Sequence, residues 1–227
     1  MKNYYLILLL LSLSFSQKVM IPMDQEQNNH LKAYGIAFFG LTKNMKIEWL
    51  LNYRGGSFLF DADQIIASEC RLRGVSFEFL SGTDLLKVYS KIDQENMDIV
   101  LLEKKPNIAI YTPPNKQPWD DAVTLALTYA EVDYETLWDE AVTLGELEKY
   151  DWLHLHHEDF TGQYGKFYRN YKNAPWYKKQ QSDSEQRALS LGFEKVSHLK
   201  LQVSKNIKEF VAGGGFLFTM CSGTDSY

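Results

Sequence analysis

Apolar and polar residues along the first half of the chain predict strands and helices in alternation. The strand-like runs lie at 18–23, 46–51, 58–60 and 75–80, helical stretches lie at 29–41 and 62–73, and a further helix and strand share 85–102. Residues 54–57, Arg-Gly-Gly-Ser, predict a hairpin turn between two strands, in preference to an anion-binding loop. Alternation of this kind is typical of a parallel sheet covered by helices.

The second half has the clearest pattern. Its predicted strands are 108–111, 134–138, 152–156 and 216–220, and its predicted helices are 119–130, 182–192 and 195–211. This order predicts right-handed crossovers, and it places 216–220 as a central, buried parallel strand. The fold class is therefore α/β, with a doubly wound, mostly parallel, flavodoxin-like sheet and helices on both faces. We divide the chain into an N-terminal α/β segment, 17–105, and a second α/β segment, 106–227, which we expect to be incomplete at its C-terminus.

Residues 158–184 form an aromatic and basic insertion without a sustained period. Rings interleaved with cations can stack on sugars or bases. A loop that folds over the sheet edge on its own rings explains the same composition, and we favour it.

Residues 1–16 have the layout of a secretory signal peptide. Lys2 precedes an apolar run at 4–11, and small residues at 14–16 precede Gln17. A membrane anchor is the alternative, although the run is short for a bilayer. We expect an exported protein, periplasmic or secreted, that meets the membrane only through this signal.

Composition and charge limit the class of protein and the partners that we expect. The chain of 227 residues is 45% hydrophobic and 14% aromatic, which is enough for a packed core. Its net charge is -5, with 24 basic residues spread along it, so we do not expect nucleic acid as the main partner, and export argues further against it. Two cysteines, Cys70 and Cys221, do not make a disulfide framework, although one bridge is compatible with an oxidising compartment.

Cys221 is the strongest candidate for chemistry. It follows a glycine run and an apolar strand, where an α/β enzyme places a nucleophile. A thiol on a tight strand-to-helix turn lies near free N–H groups and a helix dipole, which favour the thiolate and an oxyanion. Gly223 supplies the small residue that such a turn tolerates. A buried, inert thiol is the alternative.

A second cluster is His154-Leu155-His156-His157-Glu158-Asp159. On a strand, His154 and His156 share one face, and His157 and Glu158 lie at the tip. A metal site is one interpretation, but no distant third ligand is evident, and we predict no metal. We predict instead that His157 or Glu158 is the acid–base partner of Cys221.

Three segments carry a family resemblance: 50–58 (LLNYRGGSF), 150–163 (YDWLHLHHEDFTGQ) and 213–226 (GGGFLFTMCSGTDS). The run from Asn107 through Asp151 to Cys221 resembles the class I glutamine amidotransferase-like superfamily. The three segments resemble more closely the exported bacterial proteins labelled asparagine synthetase B. The resemblance covers nearly the whole chain after residue 16. It implies an elbow cysteine as nucleophile, with a nearby Glu as partner, or a fold that has lost catalysis.

The segment Ser222-Gly223-Thr224-Asp225-Ser226 is also similar to the phosphate loop of authentic asparagine synthetase. Thr224 stands where that loop has a second glycine, and its Cβ would obstruct pyrophosphate. An ATP-dependent synthetase is therefore the least favoured hypothesis.

The sequence leaves two main hypotheses open, a thiol enzyme for amide bonds and a module that binds a small ligand or glycan. Neither hypothesis requires a cofactor. The residues expected to line the ligand crevice are Gly214, Gly215, Ser222, Gly223 and Trp119.

Overall fold

A computed structural model describes residues 17–114, 122–155 and 165–225 of the chain. The chain separates into two compact units, which meet in the sequence at Lys105 and Pro106. Each unit has its own sheet and its own apolar core.

In its described part, residues 17–105, unit 1 contains five strands and three long helices. They are β1 (Lys18–Ile21), α1 (His30–Thr42), β2 (Ile47–Leu51), β3 (Ser57–Asp61), α2 (Gln64–Arg73), β4 (Glu78–Leu80), α3 (Gly82–Gln94) and β5 (Asp98–Leu102). The side chains of Asn29, Asp63 and Ser81 accept backbone N–H bonds in the first turns of α1, α2 and α3. These caps satisfy donors that a helix start leaves open, so each helix begins where its sequence provides a short polar side chain.

The sheet of unit 1 has the order β4-β1-β3-β2-β5, and every adjacent pair is antiparallel. The parallel sheet predicted for this half is therefore wrong. Strands β1 to β4 form a split βαβ arrangement, in which β3 lies between β1 and β2. A helix does join β1 to β2, as the alternation suggested, but the hairpin partner of β2 occupies the position between them.

Both faces of this sheet are covered. Val19, Ile47 and Phe60 belong to the core that α1 and α2 complete, and Met20 and Leu59 belong to the core that α3 completes. Because neighbouring residues of a strand point to opposite faces, β1 and β3 contribute to both cores. This is why their apolar runs are continuous.

The hairpin predicted at residues 54–57 is confirmed, with β2 and β3 as its antiparallel strands. Arg54 has a φ of 46°, and its guanidinium binds three carboxylates: Asp24 at 2.6 Å, Glu26 at 2.7 Å and Glu78 at 2.7 Å. At Gly55, an added Cβ would lie 2.3 Å from the carbonyl oxygen of the residue at position 23. The turn is thus fixed by its glycine and by one arginine.

Unit 2 contains four strands and five helices among the described residues. They are β6 (Ile108–Tyr111), α4 (Ala122–Ala130), β7 (Glu135–Leu137), α5 (Asp139–Thr143), β8 (Trp152–Leu155), α6 (Gly165–Tyr171), α7 (Pro175–Ser190), α8 (Val196–Ala212) and β9 (Phe216–Thr219). The sheet has the order β7-β6-β8-β9, and all of its pairs are parallel. The α/β class is therefore confirmed, with one parallel and one antiparallel sheet. In unit 2, β7 lies on one side of β6, whereas β8 and β9 lie on the other side, so the strand order reverses between β6 and β8.

Two expectations for unit 2 need correction. β9 was expected to be a central, buried strand; it is parallel to β8, but it is an edge strand, with Phe216 and Phe218 59% and 45% exposed. The insertion was expected to be a loop, but its residues 165–171 and 175–184 are helical. Helix α7 begins at Pro175, a residue suited to a first turn.

Candidate active site

Cys221 lies directly after β9, at the carboxyl end of the parallel sheet. The ladder with β8 continues through the N–H of Met220, which donates to the carbonyl of Leu155 at 2.9 Å. A 3₁₀ turn then spans Cys221–Asp225, and the hydroxyl of Thr224 donates to the carbonyl of Cys221 at 2.6 Å. The chain therefore reverses sharply at the cysteine, as the sequence predicted.

The backbone of Cys221 has a φ of 50° and its side chain is exposed. A residue with a Cβ rarely adopts positive φ, and such strain costs about 1–3 kcal/mol when the surroundings enforce it. Here the ladder on one side and the turn on the other enforce it. Backbone strain of this kind is concentrated at functional sites.

The second cysteine is different in each respect. Cys70 is fully buried in α2, and burial raises the pKa of its thiol to about 12. A thiol in that state is neutral at physiological pH and out of reach of a solute. Both cysteines are free thiols in this structure.

The proposed partners of Cys221 cannot be placed. His157, Glu158 and Trp119 all lie outside the described residues, as does His156. Their roles stay predictions.

His154 lies in β8 and is fully buried, with its ring stacked on Phe218 at 5.5 Å between centroids. His154 is therefore a packed residue of the sheet. His154 lies opposite Phe218 in the ladder, so this ring contact helps to hold β9 against β8.

The glycines of the candidate site fall at two ends of one strand. Gly223 is buried in the turn after Cys221, and Ser222 belongs to the same turn. Gly214 and Gly215 precede β9, so the length of the strand separates them from the thiol. An added Cβ at Gly215 would lie 2.2 Å from the ring of Phe210, which gives this glycine a packing role.

A groove of about 540 Å³ borders Gly214 and Gly215 at the amino end of the sheet. Tyr150, Asp151 and Asn206 add polar groups to its wall. Burial and a hydrogen bond to Glu135 raise the pKa of Tyr150 to about 12. This groove and the cysteine turn are therefore separate features of unit 2. A ligand that contacts Gly214 and Gly215 would bind in the groove and not at Cys221.

A buried polar cluster that the sequence patterns did not predict lies at the carboxyl end of the sheet: Tyr111, Asp139 and Lys200. The Lys200 ammonium donates to Asp139 at 2.8 and 3.0 Å and to the Tyr111 hydroxyl at 2.9 Å. The Tyr111 hydroxyl donates in turn to Asp139. The side chains of Asp139 and Lys200 are only 3% and 11% exposed.

Trp138 completes this cluster. The Lys200 ammonium lies 4.0 Å from the centroid of its ring, and the ring stacks on Tyr111 at 4.5 Å. The cluster joins the ends of β6 and β7 to the first turns of α8. A signal for it was present in the sequence, because Lys200 occupies a position on the apolar stripe of α8 that also carries Val196 and Val203.

Within the residues that the structure describes, no group of three or more His, Cys, Asp or Glu side chains is arranged to hold a metal ion. In the same part of the chain, none of the helices combines the length and apolar character needed to cross a bilayer. Comparison of the chain with protein-family models, with curated proteins and with solved structures gives no match.

Proposed function

We propose that this chain is a thiol-dependent enzyme that hydrolyses or transfers an amide or related carbon–nitrogen bond, with Cys221 as the nucleophile. The observation that carries the proposal is the strained, exposed position of Cys221 at the carboxyl end of a parallel strand. Ligands of parallel α/β sheets bind beyond the carboxyl ends of the strands. A positive φ at that place is consistent with a nucleophile held on a tight turn.

The sheet of unit 2 supports this assignment in a second way. Its strand order reverses between β6 and β8, and β9 lies next to β8. In a doubly wound fold of the glutamine amidotransferase-like kind, this reversal opens a crevice at the strand ends. The segment that follows β6 contains Trp119, a proposed ligand-binding residue, and the segment that follows β8 contains His157 and Glu158, the proposed partners of Cys221. Both segments follow strands that would border the crevice.

The proposed reaction is a thioester mechanism. The Cys221 thiolate attacks the amide carbon, a C–S bond forms, and the C–N bond breaks as the nitrogen leaves with a proton from His157 or Glu158. Water, or an acceptor amine in a transfer reaction, then attacks the thioester and releases the thiol. Backbone N–H groups of the 3₁₀ turn are the candidates to stabilise the oxyanion.

The alternative function is a non-catalytic module that binds a small ligand or glycan. The groove beside Gly214 and Gly215 favours this alternative, because it lies away from Cys221 and has polar groups in its wall. We also propose, from residues 1–16, that the protein is exported to the periplasm or secreted.

The test is release of ammonia by the full chain from glutamine, from asparagine and from a panel of peptide amides. We expect turnover of at least one amide, its loss in Cys221→Ser, and its retention in the control Cys70→Ala. Ammonia release that is equal in Cys221→Ser and wild type would refute the thiol mechanism. Absence of turnover, together with saturable binding of a glycan or small ligand that Cys221→Ser retains, would establish the binding alternative.

A further inference from the structure

Strand β5 of unit 1 is an edge strand with an apolar surface. Among the residues that the structure describes, it pairs with β2 on one side only and ends the sheet. Its three central residues, Ile99, Val100 and Leu101, are 36%, 38% and 49% exposed. Exposure on adjacent residues means that both faces of the strand are open at this edge, because adjacent side chains point to opposite faces.

The other edge of the same sheet is protected. β4 has only three residues, and its Glu78 is held by Arg54. Short strands and charged side chains are the usual ways in which a sheet edge avoids pairing with another chain. Residues 99–102 of β5 have neither protection, and an unprotected apolar edge is a template for a further strand.

We propose that β5 pairs antiparallel with β5 of a second copy of this chain, so that the sheets of the two copies become continuous. A twofold axis perpendicular to the sheet, midway between the two Val100 residues, relates the copies. Val100 then lies opposite its own copy, and Ile99 lies opposite Leu101 in both directions. Apolar side chains in directly opposed positions stabilise a strand pair.

Charge complementarity favours this partner. In the same register, Lys104 of one copy lies diagonal to Asp98 of the other, within reach of a long side chain. Both residues are exposed and opposite in sign, and the symmetry forms the pair twice. The paired strands would therefore have an apolar centre and a pair of opposite charges at each end.

The first test is sedimentation equilibrium of the full chain, wild type against Val100→Lys. We expect a wild-type dimer, and in the variant a dissociation constant raised at least about tenfold, since two ammonium groups would face each other. The control is Leu86→Lys, which adds the same charge at a 72% exposed position of α3 and should leave the dimer intact. Thermal melts of all three proteins separate weakened association from unfolding.

The second test exchanges the charges. Asp98→Lys and Lys104→Asp should each weaken the dimer, and the double variant Asp98→Lys/Lys104→Asp should restore it. A monomeric wild type at high micromolar concentration would overturn the proposal. So would a dimer that Val100→Lys leaves unchanged and that Phe218→Lys on β9 disrupts, because the contact would then lie on unit 2.

Discussion

Replacement of Lys200 by Met should destabilise unit 2 strongly. The substitution keeps the length and apolar stem of the side chain, and it removes the ammonium that binds Asp139 and Tyr111. Asp139 keeps the hydroxyl of Tyr111 as a donor, but it loses its positive partner in a site where it is 3% exposed. The variant therefore leaves a buried carboxylate without charge compensation.

Removal of one partner from a buried ion pair costs about 3–5 kcal/mol, most of it from the charge left behind. Little solvent screening applies here, because Lys200 is itself only 11% exposed. The contact of its ammonium with Trp138, at 4.0 Å, adds a cation–π term of up to about 2 kcal/mol when desolvated. Met retains apolar contact with that ring, so we expect a loss of about 3–5 kcal/mol in the free energy of unfolding.

The measurement is urea unfolding followed by tryptophan fluorescence, with the free energy taken from the midpoint and slope. The matched control is Lys179→Met. Its ammonium lies 2.8 Å from Asp183, the same distance as in the buried pair, but the two side chains are 74% and 39% exposed. An exposed pair contributes at most about 1 kcal/mol, so the control should change little.

A double-mutant cycle with Asp139→Asn separates the pair from the rest of the cluster. The double variant buries no charge at either position, so its loss should be smaller than the sum of the single losses by about 2 kcal/mol or more. A loss below about 1 kcal/mol in Lys200→Met, or additive single losses, would show that the cluster is solvated and would refute the reasoning.

Three further outcomes are expected. Iodoacetamide should modify Cys221 and leave Cys70 intact in the folded protein, because only the first is exposed, and mass spectrometry showing equal labelling would contradict this. Gly215→Ala should lower the free energy of unfolding by about 1–3 kcal/mol, since its Cβ would overlap the ring of Phe210. The control Gly213→Ala, whose Cβ would lie 3.4 Å from its nearest neighbours, should be nearly neutral. Similar losses in the two variants would contradict the packing role of Gly215. The hydrogen bond from Arg54 lowers the pKa of Asp24. The stability that the Asp24 carboxylate contributes is therefore present above about pH 4 and is lost as the pH falls through the lowered pKa. The free energy of unfolding should decline less between about pH 5 and about pH 2.5 in Asp24→Asn than in the wild type, and equal declines would refute this.

The sequence predicted where the elements lie more successfully than how they pair. The pattern of apolar residues indicates that a segment is a buried strand, and it correctly predicted the positions of β1, β2, β6 and β8. It does not report which strand lies beside it. In unit 1 the hairpin at Arg54 placed β3 between β1 and β2, so a pattern of alternating strands and helices gave an antiparallel sheet.

The candidate site shows the same division. The turn at Cys221 was predictable, because glycine, an apolar run and cysteine are local features of the sequence. The edge position of β9 was not, since it depends on strand order. The link between Tyr111, Asp139 and Lys200 spans up to 89 positions, and only the charge on the apolar stripe of α8 hinted at it.

Arg54 has a consequence for the kinetics of unit 1. The turn in which it lies is local, with Trp49 opposite Phe58 across the hairpin. The carboxylates that its guanidinium binds are 24 to 30 positions away, on segments that only the complete sheet brings together. Contacts of long sequence separation that form after the transition state slow unfolding and leave the folding rate nearly unchanged. We therefore predict that the three contacts of Arg54 slow the unfolding of unit 1 and have little effect on its folding rate.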